Sequence, residues 1–550
     1  MIGHNRCVAV AGERLRWVGA AMVVAAWGAF LVSHQTDAIT LAVPAAMVGT
    51  LVLTRRPPRA AIWAAGGVAT LSLALFLAEH VVPNALLVLA LPAGVAAGIA
   101  CRRRPELAIL ALFAVASAFG VIDAFTPIPP SKLADLLLAG LWLGVAWRWL
   151  AGGERFALRL PAGVVLLLAF AVVTLAQVAA APSLSFGLHT FISTGLYLIT
   201  VLLVGASELD ARRLAIVGRG IVAIALAVAA YAVLRHVIGP AAKERAIASQ
   251  QPFNFKDGKL LLFGSFESRH QLGLWCALIV PFCAGMAAVL RGRWRIAALA
   301  VIPLCAVALI ASESRAALVA AIVGLAVVLA LHSMGRAFPG PRLGVVVAAV
   351  VVLVGSGAAA IALSGGSGNE TTKTFTVVLH PNDDAAYRAR VAKWDEALRA
   401  IRKQPMGHGL GTANELQEQQ GRFVSIGSFS IDNSYLRVGY EQGIVPALLY
   451  IAGLLALALA LIRRAAITPD PARAGPALAA AGAMVAYVVV LYPSNAFDGY
   501  AALAAWLLAG VGIAPFLAGA PARSAQRRSG SLGVARRSGG PIVPGLGSTR

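Results

Sequence analysis

Three arginines and a handful of acid/base groups carry most of the chemistry this sequence could perform. Arg269 and Arg315 each stand at the end of an apolar run, and Arg390 lies in a long polar stretch further on. A guanidinium presents a planar fork that matches phosphate oxygens, so several converging would suit a diphosphate at a membrane face. Taken singly, an arginine at an interface is more often an anchor whose stem lies along apolar surface. Glu267, Glu313, Asp432 and His408 are the candidate acid/base groups. One of them beside an arginine cluster could accept the proton of a hydroxyl; apart from such a cluster each is a solvated loop charge. No His-x-x-x-His or Asp-x-Asp spacing accompanies them, so these residues argue for no metal. Gly407-His408-Gly409-Leu410-Gly411 looks faintly like a nucleotide-binding motif. No strand precedes it and its spacing is wrong, so it reads as a flexible turn after a helix, whose amides could at most face an anion.

The elements that must position these groups are membrane helices. Of the 550 residues, 59% are hydrophobic and only 13% charged. Apolar runs of bilayer-crossing length recur at 17–33, 38–54, 60–79, 82–100, 105–122, 133–150, 160–181, 186–206, 213–238, 270–290, 296–312, 315–333, 343–363, 443–462, 475–492 and 500–518. The fold class is therefore all-α: a polytopic integral membrane protein of about fourteen to sixteen transmembrane helices. The first run follows Arg6, Arg14 and Arg16, lacks a small-residue cleavage site, and reads as an uncleaved span.

The net charge of +22 does not point to nucleic acid. The arginines fall in short clusters between runs: Arg55-Arg56, Arg102 to Arg104, Arg291 with Arg293, and Arg463-Arg464. With the N-terminus in the cytoplasm every one of these clusters lies inside, as the positive-inside rule requires. The same threading puts 239–269, 312–315, 364–442 and Tyr492 to Tyr500 outside. Cys7, Cys101, Cys276, Cys283 and Cys305 all avoid the external loops, so no disulfide is expected.

Three regions follow: membrane helices over 1–238, a membrane region over 239–518 where the polar groups concentrate, with a large external loop at 364–442, and a basic disordered cytoplasmic tail over 519–550. Within the loop, Asp384–Lys403 reads as an amphipathic helix with Tyr387, Val391, Trp394, Leu398 and Ile401 on one face, stopped by Pro405 and Gly407. Such a helix either lies flat on the membrane with Trp394 among the headgroups or caps the bundle.

In order along the chain, several short elements resemble the O-antigen ligase and O-antigen polymerase superfamily of bacterial inner-membrane enzymes. They are Gly264-Ser265-Phe266-Glu267-Ser268-Arg269, Ser314-Arg315, Arg390-x-x-x-Trp394, Pro405-x-Gly407-x-Gly409, Asn433-Ser434-Tyr435-Leu436 and Glu441-x-Gly443. The resemblance covers roughly residues 260–465. It implies transfer of a glycan from an undecaprenyl diphosphate carrier, on the periplasmic side, to a hydroxyl of a glycan or of lipid A-core, without cofactor or metal. Carried over by position, it implies diphosphate binding by Arg269, Arg315 and Arg390. It also implies sugar positioning by Asn433 and Tyr435, and a catalytic base in Asp432, with Glu267 and His408 behind it. Ligases of the family commonly carry His-Asn where this chain has Asp432-Asn433, and the Asp form resembles the exopolysaccharide polymerases instead. A lipid A-core ligase and a protein O-glycosylating transferase are the enzymatic alternatives. A flippase is the non-enzymatic one, but no internal repeat accompanies the charges, which cluster at one face. The expected partners are thus the carrier-linked donor, the acceptor and the bilayer, with no nucleic acid; nothing bears on the oligomeric state.

Overall fold

The computed structural model describes residues 104–126, 130–151, 160–179, 190–334, 385–413, 416–419, 422–425 and 431–517, except 208, 250–253 and 257, together with 181, 187 and 337. The expected spans at 17–33, 38–54, 60–79, 82–100 and 343–363, the loop over 364–384 and the tail lie outside the described residues, as do Cys7 and Cys101.

Every other expected span is a helix. The described helices in chain order are α1 (Pro105–Phe125), α2 (Pro130–Ala151), α3 (Ala162–Val178), α4 (Ile192–Gly205), α5 (Ala211–Ile238), α6 (Ala242–Ser249), α7 (Arg269–Ala287), α8 (Arg293–Ala311), α9 (Arg315–Met334), α10 (Ala385–Lys403), α11 (Ser434–Gln442), α12 (Ile444–Ile467), α13 (Pro471–Val490) and α14 (Gly499–Leu517), of which α6, α10 and α11 are not spans. Eight are long and apolar enough to cross a bilayer: α1, α5, α7, α8, α9, α12, α13 and α14. Two small antiparallel hairpins, Phe255–Lys256 with Lys259–Leu260 and Leu416–Gln419 with Arg422–Ser425, are additions that the apolar pattern did not announce. The chain is an all-α polytopic membrane protein.

Helix α7 forms the axis of the bundle, buried along nearly its whole length and packed against α8, α9 and α13. Because lipid tails are as apolar as leucine, close backbone approach rather than water exclusion holds such helices together. Small residues permit it: a Cβ on Gly285 of α7 would lie 2.5 Å from the Ala479 backbone of α13, and one on Gly324 of α9 would lie 2.6 Å from the Gly482 carbonyl of α13. Elsewhere α3 packs on α12, α4 on α14, and α1 on α2, α5 and α14.

Helix α1 contains a break at Ala118 (φ −136°, ψ 20°). In a continuous helix the Val121 amide would donate to the Ser117 carbonyl. Here Ser265 takes both places. Its carbonyl accepts from the Val121 amide at 3.2 Å, and its Oγ donates to the Ser117 carbonyl at 2.7 Å. The Val121 amide and the Ser117 carbonyl are thus both paired, and the segment before α7 is spliced into α1. Trp275 of α7 adds a buried hydrogen bond from Nε1 to Ser117 Oγ at 2.9 Å.

Candidate functional site

The splice fixes the segment that carries Glu267 and Arg269. Gly264 turns it with a left-handed φ of 60°. Phe266 fills the space between Phe119 and Trp275, with ring centroids at 5.6 and 5.8 Å. Ser268 caps α7, accepting from the Gln271 amide. Asn254, fully buried, ties down both flanks of that cap. Its Nδ2 donates to the Glu267 carbonyl at 2.8 Å and to the Ala248 carbonyl at 3.0 Å, and its Oδ1 accepts from the Arg269 amide at 3.0 Å.

Three arginines converge beside this segment. Arg269 Nη1 reaches the Ser312 carbonyl at the end of α8, 3.3 Å away. Arg315 opens α9 two residues beyond Glu313, and the Arg315 amide donates to the Glu313 carbonyl at 3.1 Å. Glu313 takes a left-handed φ of 50°, unique for a non-glycine among the described residues and costly for a side chain with a Cβ. The Arg269 guanidinium lies within electrostatic reach of Arg315, Arg390 and Glu313, and His270 within reach of Arg269 and Arg390. Arg390 comes from α10 and pairs with Asp432 across 3.4 Å, both half-exposed. Like charges held together in this way repel, and an anion seated among them relieves that repulsion.

Helix α10 reaches the arginines by packing on protein. Trp394 and Ile401 are buried, Tyr387 and Val391 half-buried, and Leu398 lies on the rim. Trp394 meets Tyr492 after α13 at a centroid distance of 5.1 Å, edge to face, and Ile401 lies against Gly439 of α11. Of the two expectations for this helix, capping the bundle holds; the Trp394 ring is turned into the protein, not toward headgroups.

The remaining sequence candidates make contacts that hold the loop to the bundle. Asn433 is buried and caps α11, its Oδ1 accepting from the Tyr435 and Leu436 amides at 3.0 and 3.1 Å. Tyr435 donates its hydroxyl to the Val488 carbonyl of α13 at 2.7 Å, and burial raises the pKa of that hydroxyl. Between them, Ser434 donates through Oγ to the Ser494 carbonyl and accepts from the Ala496 amide. His408 stacks on Tyr440 at 4.2 Å, with Nδ1 3.1 Å from the Tyr440 carbonyl. The glycine cluster is fastened, not a loose turn. The His408 and Gly409 amides donate to the carbonyls of Tyr440 and Glu441, and the Gly411 amide to the Glu441 carboxylate. Gly407 (φ 91°) and Gly443 (φ 97°) meet backbone to backbone; a Cβ on either would lie 2.6 Å from the other strand's main chain. Of these amides only that of Gly411 faces a carboxylate, and that carboxylate is the protein's own Glu441.

One group of functional weight escaped the sequence reading. Arg437 donates from Nε to Glu441 at 2.7 Å and from Nη1 to Asp498 at 3.1 Å, and lies over the Phe497 ring at 4.9 Å. Burial alone would weaken its hold on the proton, but the two carboxylates reverse that and raise its pKa. The Arg437–Glu441 spacing of four residues was the available signal; Asp498, across the bundle, offered none.

The fold is that of a multi-pass membrane protein, with Arg315 and Arg390 within electrostatic reach of Arg269 at one end of the described bundle. Residues 298–451 match the family model described as O-antigen ligase. Over this stretch the chain is similar to the O-antigen ligase superfamily, and the match supports chemistry of the glycan ligase or polymerase type in general. No curated protein matches the chain. The matched stretch includes Arg315, Arg390, His408, Asp432, Asn433 and Tyr435 but stops short of Glu267, Arg269 and Asp498.

Proposed function

We propose that the protein polymerises or transfers a glycan carried on undecaprenyl diphosphate, at the periplasmic face of the inner membrane, by a single displacement without a metal. The acceptor hydroxyl attacks the anomeric carbon, the bond from that carbon to the diphosphate oxygen breaks, and the carrier diphosphate leaves with the electron pair. Arg269, Arg315 and Arg390 meet the charge that grows on the leaving group, where preorganised cations lower a barrier most. The observation that carries this reading is the convergence of three guanidinium groups from α7, α9 and α10, segments far apart in sequence.

The acceptor's proton goes to Glu267. Asp432 is already engaged by Arg390, and His408 is stacked against Tyr440. Burial, and then the nearby charge of Asp123, raise the Glu267 carboxyl above the usual range, which suits a general base. Asp432 then serves to hold Arg390 rather than to take the proton.

The test is turnover of an undecaprenyl-diphosphate oligosaccharide by the full chain in liposomes. Arg269→Ala, Arg315→Ala and Arg390→Ala should each lower kcat/KM by roughly 100-fold or more. Glu267→Gln should abolish turnover while the protein still binds donor. Turnover surviving in Glu267→Gln would remove Glu267 as the base. The product separates the two activities: a lengthened glycan still on its carrier marks a polymerase, and glycan on lipid A-core a ligase. Donor that only changes leaflets, with no new glycosidic bond, would mark a transporter.

A further inference from the structure

We propose that Asn254 is a positioning residue for the transfer, setting the Glu267 carboxylate and the Arg269 guanidinium at a fixed separation through one buried side chain, with the Ser265 splice as its second anchor. The inference rests on the proposed roles of Glu267 and Arg269. Asn254 lies on the segment between α6 and the first hairpin, away from the expected motifs, and belongs to no element that the function has used so far. Its amide is placed where few side chains could serve. Nδ2 holds the Glu267 carbonyl and Oδ1 the Arg269 amide, so the two ends of one carboxamide span Ser268 and clamp the residues on either side of it. A second Nδ2 bond, to the Ala248 carbonyl, ties the clamp to α6.

Upstream, Ser265 is locked into the break of α1 through its carbonyl and its hydroxyl. A Cβ on Gly120 would lie 2.4 Å from the Phe266 backbone, so strap and helix touch with no side chain between. From Ser265 to Arg269 the backbone is thus held at each end and at Glu267. The two side chains point into different surroundings. Glu267 lies within electrostatic reach of Asp123 of α1 and of Tyr500 of α14, and Tyr500 within reach of Asp135 of α2. Arg269 faces Arg315, Arg390 and Glu313. The strap divides a cationic half, where the diphosphate binds, from a half where the acceptor hydroxyl meets Glu267. A displacement needs both halves in register, and small misplacement is expensive in rate.

The experiment compares Asn254→Asp, Asn254→Ala and Ser265→Ala with the unmodified chain in liposomes, reading kcat, donor KM and the pH dependence of kcat. Asn254→Asp keeps the acceptor for the Arg269 amide and loses the donor to the Glu267 carbonyl. The expected result is a fall in kcat of roughly 10- to 100-fold with donor KM within about 3-fold. The rising limb of kcat should also move to lower pH. Its sign follows from Glu267: a loosened strap admits water, burial ceases to hold the carboxyl above its usual range, and the base ionises at lower pH. Ser265→Ala, acting from the other anchor, should move the limb the same way, so failure of one variant to fold leaves the other decisive. A loss of kcat with the limb unmoved, or no loss in either variant, overturns the proposal. If Glu267→Gln itself retains turnover, the reading of Glu267 as base has failed, and the clamp with it. If Glu267→Gln is dead and the clamp variants behave as the unmodified chain, the clamp alone has failed.

Discussion

Asp432 and Glu267 differ in what surrounds them, and that difference assigns their work. The Arg390–Asp432 pair is half-exposed, and exposed pairs of this kind contribute about 0–1 kcal/mol. Its value lies in direction: it holds the guanidinium toward Arg269. Asp432→Asn should therefore raise donor KM only about 5-fold or less, the equivalent of that energy, and leave kcat nearly unchanged. Steady-state kinetics in liposomes would decide it; a collapse of kcat would return the base to Asp432. The three arginines are legible in sequence because each sits at an element end or in the large loop, where polar groups stand out against apolar neighbours; the fold adds that Arg315 and Arg390 lie within electrostatic reach of Arg269. Sequence could not show that the Tyr435 hydroxyl donates to the Val488 carbonyl, because that partner is set by the fold rather than by spacing; the Asn433 cap, on the amides two and three residues ahead, is local.

The elements around the site divide into those that carry it and one that docks onto it. Helices α7 and α9 are set by backbone contacts at Gly285, Gly324 and Gly482. Helix α10 is held by a smaller apolar face, with Trp394 as its largest buried group. Trp394→Ala should cost about 3–5 kcal/mol of docking and free Arg390 from the site. The expected outcome is a donor KM raised at least 10-fold, with Trp394→Phe close to the unmodified chain. An unchanged KM in Trp394→Ala would mean that the helix is held by something else. The period of its apolar residues foretold this helix, whose end at Lys403 is as expected. Whether that face met lipid or protein was not legible, because both present an apolar surface; the contact with Tyr492 settles it.

At the scale of the whole molecule, hydropathy located each described span, since bilayer-length apolar runs admit little but helices. The hydrogen bonds that join Ser265 to α1, Asn433 to α11 and Ser434 to the turn after α13 gather the polar helix ends at one face. Arg293 and Arg463 lie at the opposite helix ends. In the proposed topology, which follows the positive-inside rule, the arginine face lies outward. Single cysteines at Glu313 and at Arg293, in a background where Cys7, Cys101, Cys276, Cys283 and Cys305 are replaced, should label oppositely. An impermeant maleimide should reach the first from the periplasm and the second only after the inner membrane is opened; the reverse pattern would turn the molecule over.

The break in α1 has a consequence for anyone building hybrids of this enzyme. Its hydrogen bonds are shared with a serine about 150 residues downstream, in a region the matched family stretch does not cover. A chimera joined anywhere between α1 and α7 would pair a gap cut for one strap with the strap of another chain. The exchangeable module is therefore not a contiguous domain but two distant segments, 113–121 and 263–269, which must travel together.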